Sequence, residues 1–377
     1  MACRLRLAWR RDRIPGRAPT LIRSLAIGIA VGAIFLALAL WGVPLDQVGG
    51  AIAHMDPLWI AASVVIWTAQ YWIRAVRQLV MVRPLAPETT LRTQVSITLI
   101  GFFCVNTFPA RLGEVARPFL LLERDRVPFG AGLGLVFVER IIDTVALLLS
   151  LLAVLVFVDV PDQRIEFAGQ SVSIVEVVRK LAFVGLPPIL AGVVGLAVFG
   201  RQALAFGERV VSAIEARVKT PWVARVSRTL LSFASNFVDG LASLREPKRL
   251  AAIVVLTALL FVAMAALTWA MALAFQFEAW IGLGEALGVL CITMLGIALP
   301  APPGFAGVFE AAVRAALAVF GVRGEDMAAR ALAFALVFHW GPYLLLAIWS
   351  GYYLWRDGVQ IGRLFRFARG GGSPAQE

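Results

Sequence analysis

Two matching interruptions of otherwise apolar sequence place the strongest constraint on the fold of this chain. The first runs from Pro109 to Arg117, and the second runs from Pro302 to Arg314. Each combines a helix-breaking Pro, a Gly, a Glu and an Arg, and long apolar runs flank both. Backbone breaks and charges at membrane depth are stable only where protein or a water-filled cavity surrounds them. Paired interruptions in the two halves of a chain are typical of a transport-type binding site.

The composition indicates an integral membrane protein. Hydrophobic residues make up 60% of the chain and charged residues 16%, against roughly 45–50% and about 25% in soluble proteins. The formal charge of +11 comes from Arg and Lys that sit between apolar runs. Positive cytoplasmic loops explain this charge, so we expect no nucleic-acid partner.

Cysteine and histidine usage indicates neither a metal site nor a cofactor. Cys3, Cys104 and Cys291 show no CxxC spacing, and two of them lie in apolar segments, as small buried hydrophobic residues do. His54 and His339 are the only histidines, which excludes a histidine-based metal centre.

The apolar runs predict an all-α fold, a polytopic membrane bundle of about six full spans plus two re-entrant helical hairpins. A span takes about 20 helical residues. The arms beside the first interruption, Val95–Phe108 and Leu112–Leu122, are too short for spans, so a hairpin fits better. The arms beside the second, Ile281–Leu299 and Gly304–Phe320, are longer, and two full spans remain possible. The predicted spans are Leu21–Trp41, Leu58–Ile73, Phe129–Val158, Leu181–Phe199, Leu250–Phe275 and Ala328–Trp355.

The basic residues predict the orientation. Seven arginines precede the apolar stretch that starts at Leu25, and we interpret this stretch as a retained signal anchor with a cytoplasmic N-terminus. One cytoplasmic return is marked by Arg74, Arg77, Arg83 and Arg92, and another by Arg124 and Arg126. The arginines after Trp355 place the C-terminus in the cytoplasm as well. The two halves then show the same order of elements from opposite sides of the membrane, which predicts an inverted repeat.

The predicted organisation is one transmembrane domain at 21–355 between cytoplasmic tails at 1–20 and 356–377. Its repeat halves are about 21–158 and 181–355. The polar segment 201–249 mixes apolar positions with Arg, Glu and Ser at helical spacing. This pattern predicts a cytoplasmic linker of two amphipathic helices, at 203–219 and 223–244, on the membrane surface. A regulatory or partner-binding role of this segment is the alternative.

The first candidate cluster surrounds the first interruption and suits an anion. The break frees backbone N–H groups at the start of a half-helix, and that positive end together with arginine can bind a lipid phosphate. Alternatively, Arg111 extends to the headgroups and Glu114 neutralises it. The candidate residues are Asn106, Arg111, Gly113, Glu114 and Arg117.

The second cluster, Glu139, Arg140 and Asp143, lies inside an apolar run. Glu139 and Asp143 are one helical turn apart, so their carboxylates share a face. Charges near the bilayer centre cost several kcal/mol each, and pairing with Arg111 or Arg117 would offset that cost. The alternative is a purely structural ion-pair network between helices.

The third cluster surrounds the second interruption. Glu310 and Arg314 form an i, i+4 pair in the favourable order, and His339 can either relay a proton or pack as a core residue. We expect both interruptions to meet deep in the membrane around a shared polar chamber. The candidate residues are Gly304, Gly307, Glu310, Arg314 and His339.

Three motifs, Pro-x-Arg-x-Gly-Glu-x-x-Arg, Glu-Arg-x-x-Asp and a Pro-Gly break followed by Gly-x-x-Glu, resemble those of the lysylphosphatidylglycerol synthase transmembrane-region (flippase-like) family. The resemblance covers roughly residues 20–355 and implies a polytopic helical protein of the bacterial inner membrane associated with lipid translocation. Two positions depart from the family pattern: Phe338-His339 stands where Tyr-Arg is frequent, and Phe305 stands where Gly is usual. The matching residues are Arg111, Gly113, Glu114, Arg117, Glu139, Arg140, Asp143, Gly307 and Glu310.

The function predicted from these residues and this resemblance is translocation of an anionic or modified lipid head group across the inner membrane, without enzymatic activity. The expected partners are membrane lipids, either phospholipids or polyprenyl or hopanoid lipids. A homo-oligomer or a lipid-synthesis enzyme partner is possible. Two alternatives are a membrane-embedded lipid-modifying transferase and an accessory subunit of envelope lipid or hopanoid synthesis.

Overall fold

The computed structural model describes residues 45–107, 113–160, 164–167, 170–173, 176, 179–217, 221–240, 246–298 and 303–358. The predicted first span at Leu21–Trp41, the tails at 1–20 and 359–377, and Arg111 lie outside these residues.

The described residues are mostly helical, with one short antiparallel strand pair. The strands are β1 (Arg164–Phe167) and β2 (Gln170–Ser173), and a π-helical turn at Leu181–Gly185 precedes α6. The helices are α1 (Leu45–Ala53), α2 (Pro57–Val82), α3 (Leu91–Thr107), α4 (Gly113–Asp125), α5 (Phe129–Phe157), α6 (Leu186–Arg217), α7 (Pro221–Gly240), α8 (Pro247–Ala274), α9 (Leu283–Gly296), α10 (Val308–Val319) and α11 (Glu325–Arg356).

The prediction of a helical membrane bundle is confirmed. Among the described helices, α5, α8 and Met327–Arg356 of α11 are long and apolar enough to cross a membrane. Helices α1 and α2, bent by 82° at a short break, make a fourth candidate span if they are counted together. The Asp56 side chain caps α2 by accepting a hydrogen bond from the Leu58 N–H at 2.8 Å, and Pro57 occupies its first turn. The count of about six spans stays a prediction.

Both interruptions separate pairs of short helices that pack against each other. Helices α3 and α4 have 17 and 13 residues, and α9 and α10 have 14 and 12, fewer than the roughly 20 that a span requires. These lengths favour a hairpin at the second interruption as well as at the first. Ile97 and Leu120 of the first hairpin share one apolar cluster, whereas Val289 and Leu317 of the second hairpin belong to another cluster that also contains Leu99 of the first.

The polar linker differs from its prediction. The predicted span Leu181–Phe199, from Leu186 onward, and the predicted amphipathic helix at 203–219, as far as Arg217, belong to one continuous helix, α6. Residues 218–219 lie outside the described residues. The second predicted linker helix corresponds to α7, which packs against α5 as well as α6. A Cβ built on Gly240 of α7 would lie 3.0 Å from the Gly134 Cα of α5. The two backbones therefore approach closely because neither position carries a side chain.

A hydrogen-bond network around Asp357, which we call the polar latch, joins the helices at one end of the bundle. The Arg124 Nη1 atom donates to Asp357 Oδ2 at 2.7 Å and to Ser96 Oγ at 2.9 Å, and Ser96 Oγ donates to the same carboxylate at 2.6 Å. Arg356 Nε donates to Asp357 Oδ1 at 2.6 Å. The start of α3 and the ends of α4 and α11 therefore meet at one end of the bundle.

This latch should make stability depend on pH. Burial raises the pKa of Asp357, but hydrogen bonds from Arg356, Ser96 and Arg124 outweigh it and lower the pKa from 3.8 to about 2. Because the folded-state pKa lies below the unfolded-state value, the latch stabilises the fold above about pH 4 and loses this effect as the pH falls toward 2. In circular dichroism melts in detergent, Asp357→Asn should unfold at a lower temperature than wild type at neutral pH, with a gap that narrows between about pH 4 and pH 2. A gap that stays constant over this range would contradict the latch.

Candidate functional site

An arginine of α2 is buried against two carboxylates of α5. Arg77, whose side chain is 1% exposed, donates to both Asp143 oxygens, at 2.6 and 3.3 Å, and its Nη2 lies 3.4 Å from Glu139 Oε1. Its Nη1 also donates to Thr257 Oγ1 of α8 at 2.9 Å. A charge in the bilayer interior is costly unless it is paired, so the two carboxylates account for how Arg77 is tolerated there.

The first hairpin contributes a second buried arginine. Arg117 of α4 donates to both Glu139 oxygens, at 3.0 and 2.6 Å, and to Gln78 Oε1 at 2.8 Å. The Arg117 stem lies against Gly101 of α3, where a Cβ would come within 2.8 Å of the Arg117 Cδ and still closer to its Cγ. Glycine at position 101 therefore creates the space in which Arg117 reaches Glu139.

Three guanidinium groups surround the aromatic ring of Phe102 on α3. The ring centroid lies 4.9 Å from the Cζ of Arg74, 5.4 Å from that of Arg117 and 5.8 Å from that of Arg140. These distances are within the range of cation–π attraction. Arg140 lies 3.7 Å from Glu139, and among the described residues no carboxylate lies within ion-pair distance of Arg74.

We call these charged residues the arginine cluster: Arg74, Arg77, Arg117, Arg140, Glu139 and Asp143. Four guanidinium charges minus two carboxylate charges leave a net charge of +2 for the cluster. In addition, the Nε atoms of Arg77, Arg117 and Arg140 are buried without a hydrogen-bond partner among the described residues. Unpaired buried donors and excess positive charge are features of a site that binds an anion.

A second polar group lies at the second interruption. Glu310 of α10 is fully buried, and its carboxylate accepts from the Gly307 N–H at 2.7 Å, from Trp340 Nε1 at 3.0 Å and pairs with His339 Nδ1 at 2.8 Å. The turn before α10 has positive φ angles at Gly304, Phe305 and Gly307. Glu310 thus caps a helix that begins from a strained turn.

The sequence also matches a known protein family, and the match includes the residues of both polar groups. The profile of a family described as "Lysylphosphatidylglycerol synthase TM region" matches residues 25–349. The chain belongs to this family. The match extends over every described helix from α1 to α10 and over most of α11, so both interruptions and the arginine cluster lie within the lysylphosphatidylglycerol synthase TM region.

A curated relative matches a smaller part of the chain. Glycosyltransferase AglD of Haloferax volcanii is 28% identical over 131 residues, which are 33% of this chain and 20% of that protein. The chain therefore spans about a fifth of the length of this relative.

Several of the site residues that were predicted from the sequence have defined partners in the structure. Glu139 and Asp143 face the same arginine, as their spacing predicts, and Arg117 is the partner of Glu139. Arg140 lies beside Glu139 with a side chain 38% exposed. Glu114 lies in the first turn of α4, half-buried, and Gly113 begins that helix.

The two interruptions meet through backbone. A Cβ built on Gly304 would lie 3.5 Å from the Asn106 carbonyl oxygen at the end of α3, and Thr107 Oγ1 lies 3.1 Å from the Tyr343 hydroxyl of α11. The charged side chains, however, form two groups, the arginine cluster and the Glu310–His339 pair. Arg314 lines a separate cavity of about 580 Å³ between α10 and α11. A single shared polar chamber stays a prediction.

The candidate residues predicted from the sequence did not include Arg74, Arg77 or Gln78. All three lie within α2, which ends at Val82. The predicted cytoplasmic return after this helix stays a prediction. The sequence does contain a pattern that indicates this site. Polar residues recur at helical spacing in an apolar segment, at Gln70, Arg74, Arg77 and Gln78. One polar face on such a helix indicates a buried polar contact.

Proposed function

We propose that this protein binds the anionic head group of a membrane lipid at the arginine cluster and translocates that lipid across the bacterial inner membrane. The observation that carries the proposal is the excess of guanidinium over carboxylate charge around Phe102, inside a membrane-embedded helical bundle. A phosphate would accept the free donors and reduce the net positive charge. A purely structural network has no need of Arg74, which pairs with no described carboxylate.

The packing pattern supports an inverted repeat of the kind that alternating access uses. The first half contains α2, the hairpin α3–α4 and α5, and the second contains α8, the hairpin α9–α10 and α11. The contacts match under this correspondence: α2 packs on α8, α5 packs on the second hairpin through α9, and α11 packs on the first hairpin through α3. We propose that both hairpins are re-entrant and that both termini are cytoplasmic.

Lipid translocation by purified protein tests the proposal. In vesicles containing fluorescent phosphatidylglycerol, wild type should accelerate exchange between leaflets, and Arg74→Gln and Arg140→Gln should each slow it by about tenfold or more. The reason is that a hydrogen bond to a charged group contributes about 1.5–3 kcal/mol, and about 1.4 kcal/mol corresponds to a factor of ten.

Arg249→Gln is the matched control, since Arg249 is 36% exposed and its ion-pair partner among the described residues is Glu246, 47% exposed. It should translocate lipid at the wild-type rate. Wild-type rates in both cluster variants, or no translocation by the wild-type protein, would reject the proposal.

The likeness to Glycosyltransferase AglD supports a second candidate, a lipid-modifying transferase function or a membrane region that serves such an enzyme. Incubation of the purified protein with radiolabelled nucleotide sugars and membrane lipids tests it. Transfer of label to a lipid, abolished by Arg140→Gln, would favour the transferase over the translocator.

A further inference from the structure

A lateral groove lies beside the arginine cluster and opens toward the lipid-facing surface. Helices α2 and α11 flank α3 and meet where Trp67 and Trp349 pack with ring centroids 5.8 Å apart. Next to this contact they enclose a cavity of about 420 Å³, whose floor is formed by Val95 and Leu99 of α3. The lining is almost entirely apolar or aromatic.

The groove ends at the arginine cluster. Tyr71 lines the groove, and its ring packs edge-on against Phe102 at 5.8 Å. Arg74 contacts the same Phe102 ring, with its guanidinium carbon 4.9 Å from the ring centroid. A molecule in the groove that extends past Tyr71 therefore reaches an arginine without a described carboxylate partner.

The groove opens sideways because its outer rim is exposed. Trp72, Ile348 and Tyr352 are 48%, 62% and 53% exposed, and they belong to helices that lie in the membrane. The groove volume is roughly fourteen times the ~30 Å³ that one water molecule occupies, and a methylene group is similar in size to a water molecule. The groove therefore has room for about a dozen carbons of one hydrocarbon chain.

We infer that this groove holds one acyl chain of an anionic diacyl phospholipid, whose head group binds Arg74 beside Phe102. The inference rests on the proposed function, because it places the tail of the lipid whose head group the arginine cluster binds. The apolar groove accepts the chain, and the adjacent positive charge selects an anionic head. The second chain remains in the bilayer.

Native mass spectrometry of delipidated protein titrated with phosphatidylglycerol tests this inference. Thr68→Trp and Ile348→Trp fill the groove from α2 and from α11, and each should weaken phosphatidylglycerol binding by roughly tenfold. Val65→Trp is the control, since Val65 is 68% exposed on α2 and does not line the groove. It should bind as wild type does. Circular dichroism melts show which variants are folded.

The head-group contact is tested separately with Arg74→Gln. Loss of phosphatidylglycerol binding in all three variants, with phosphatidylcholine bound at least tenfold more weakly by wild type, supports the complete assignment. Unchanged binding in both tryptophan variants overturns the groove, even if Arg74→Gln binds weakly and the head-group site stands. Loss in the tryptophan variants with unchanged Arg74→Gln binding overturns the Arg74 contact. Tighter binding of undecaprenyl phosphate than of phosphatidylglycerol overturns the diacyl class.

Discussion

Replacing Glu139 by Gln is expected to lower the free energy of unfolding by about 3–5 kcal/mol, as removal of one partner of a buried ion pair does. Glu139 is the common partner of Arg117 at 2.6 Å, Arg77 at 3.4 Å and Arg140 at 3.7 Å. Its loss leaves Asp143 as the single carboxylate among four guanidinium groups. A neutral amide also presents N–H donors to arginines that are themselves donors.

The matched control is Glu246→Gln at the start of α8. Glu246 pairs with Arg249 at 2.9 Å, but its side chain is 47% exposed, and exposed pairs contribute about 0–1 kcal/mol. Unfolding of the purified variants in mixed detergent micelles should therefore separate Glu139→Gln clearly from Glu246→Gln. Equal stability of the two variants would show that the cluster is open to water and not buried in protein.

The contacts of Glu139 show how much of the site could be predicted from the sequence. A carboxylate in the middle of an apolar run must be paired, and Arg117 was one of two predicted partners. The spacing of Glu139 and Asp143 also predicts their common face. Arg77 was missed because arginines after an apolar run usually mark a membrane boundary, and the same residues inside a helix look identical in the sequence.

The second polar group could not be predicted from local patterns. Glu310 and His339 are 29 positions apart and meet only because α10 packs against α11. The sequence favours the i, i+4 partner Arg314, since helical spacing is the only relation it displays. Similarly, α6 continues through Gly200 to Arg217, because a helical backbone does not end where hydropathy falls and no Pro interrupts this segment.

Replacing Gly101 by Ala should disrupt the cluster without changing any charge. The new Cβ would overlap the Arg117 stem, 2.8 Å from its Cδ and closer to its Cγ. Arg117 has no room to adjust, because Glu139 and Gln78 hold its guanidinium at 2.6 and 2.8 Å. We expect a loss of about 1–3 kcal/mol in the free energy of unfolding from overpacking, together with slower lipid translocation.

Gly351→Ala in α11 is the control for this substitution. A Cβ at Gly351 meets nothing within 4 Å, so alanine there should leave stability unchanged or raise it by about 0.5–1 kcal/mol, the ordinary advantage of Ala over Gly in a helix. Both variants add the same methyl group to a helical glycine, and they differ only in what it contacts. If Gly101→Ala is as stable and as active as Gly351→Ala, the Arg117 side chain is not confined between α3 and Glu139, and the cluster cannot be the rigid anion site that the proposed function requires.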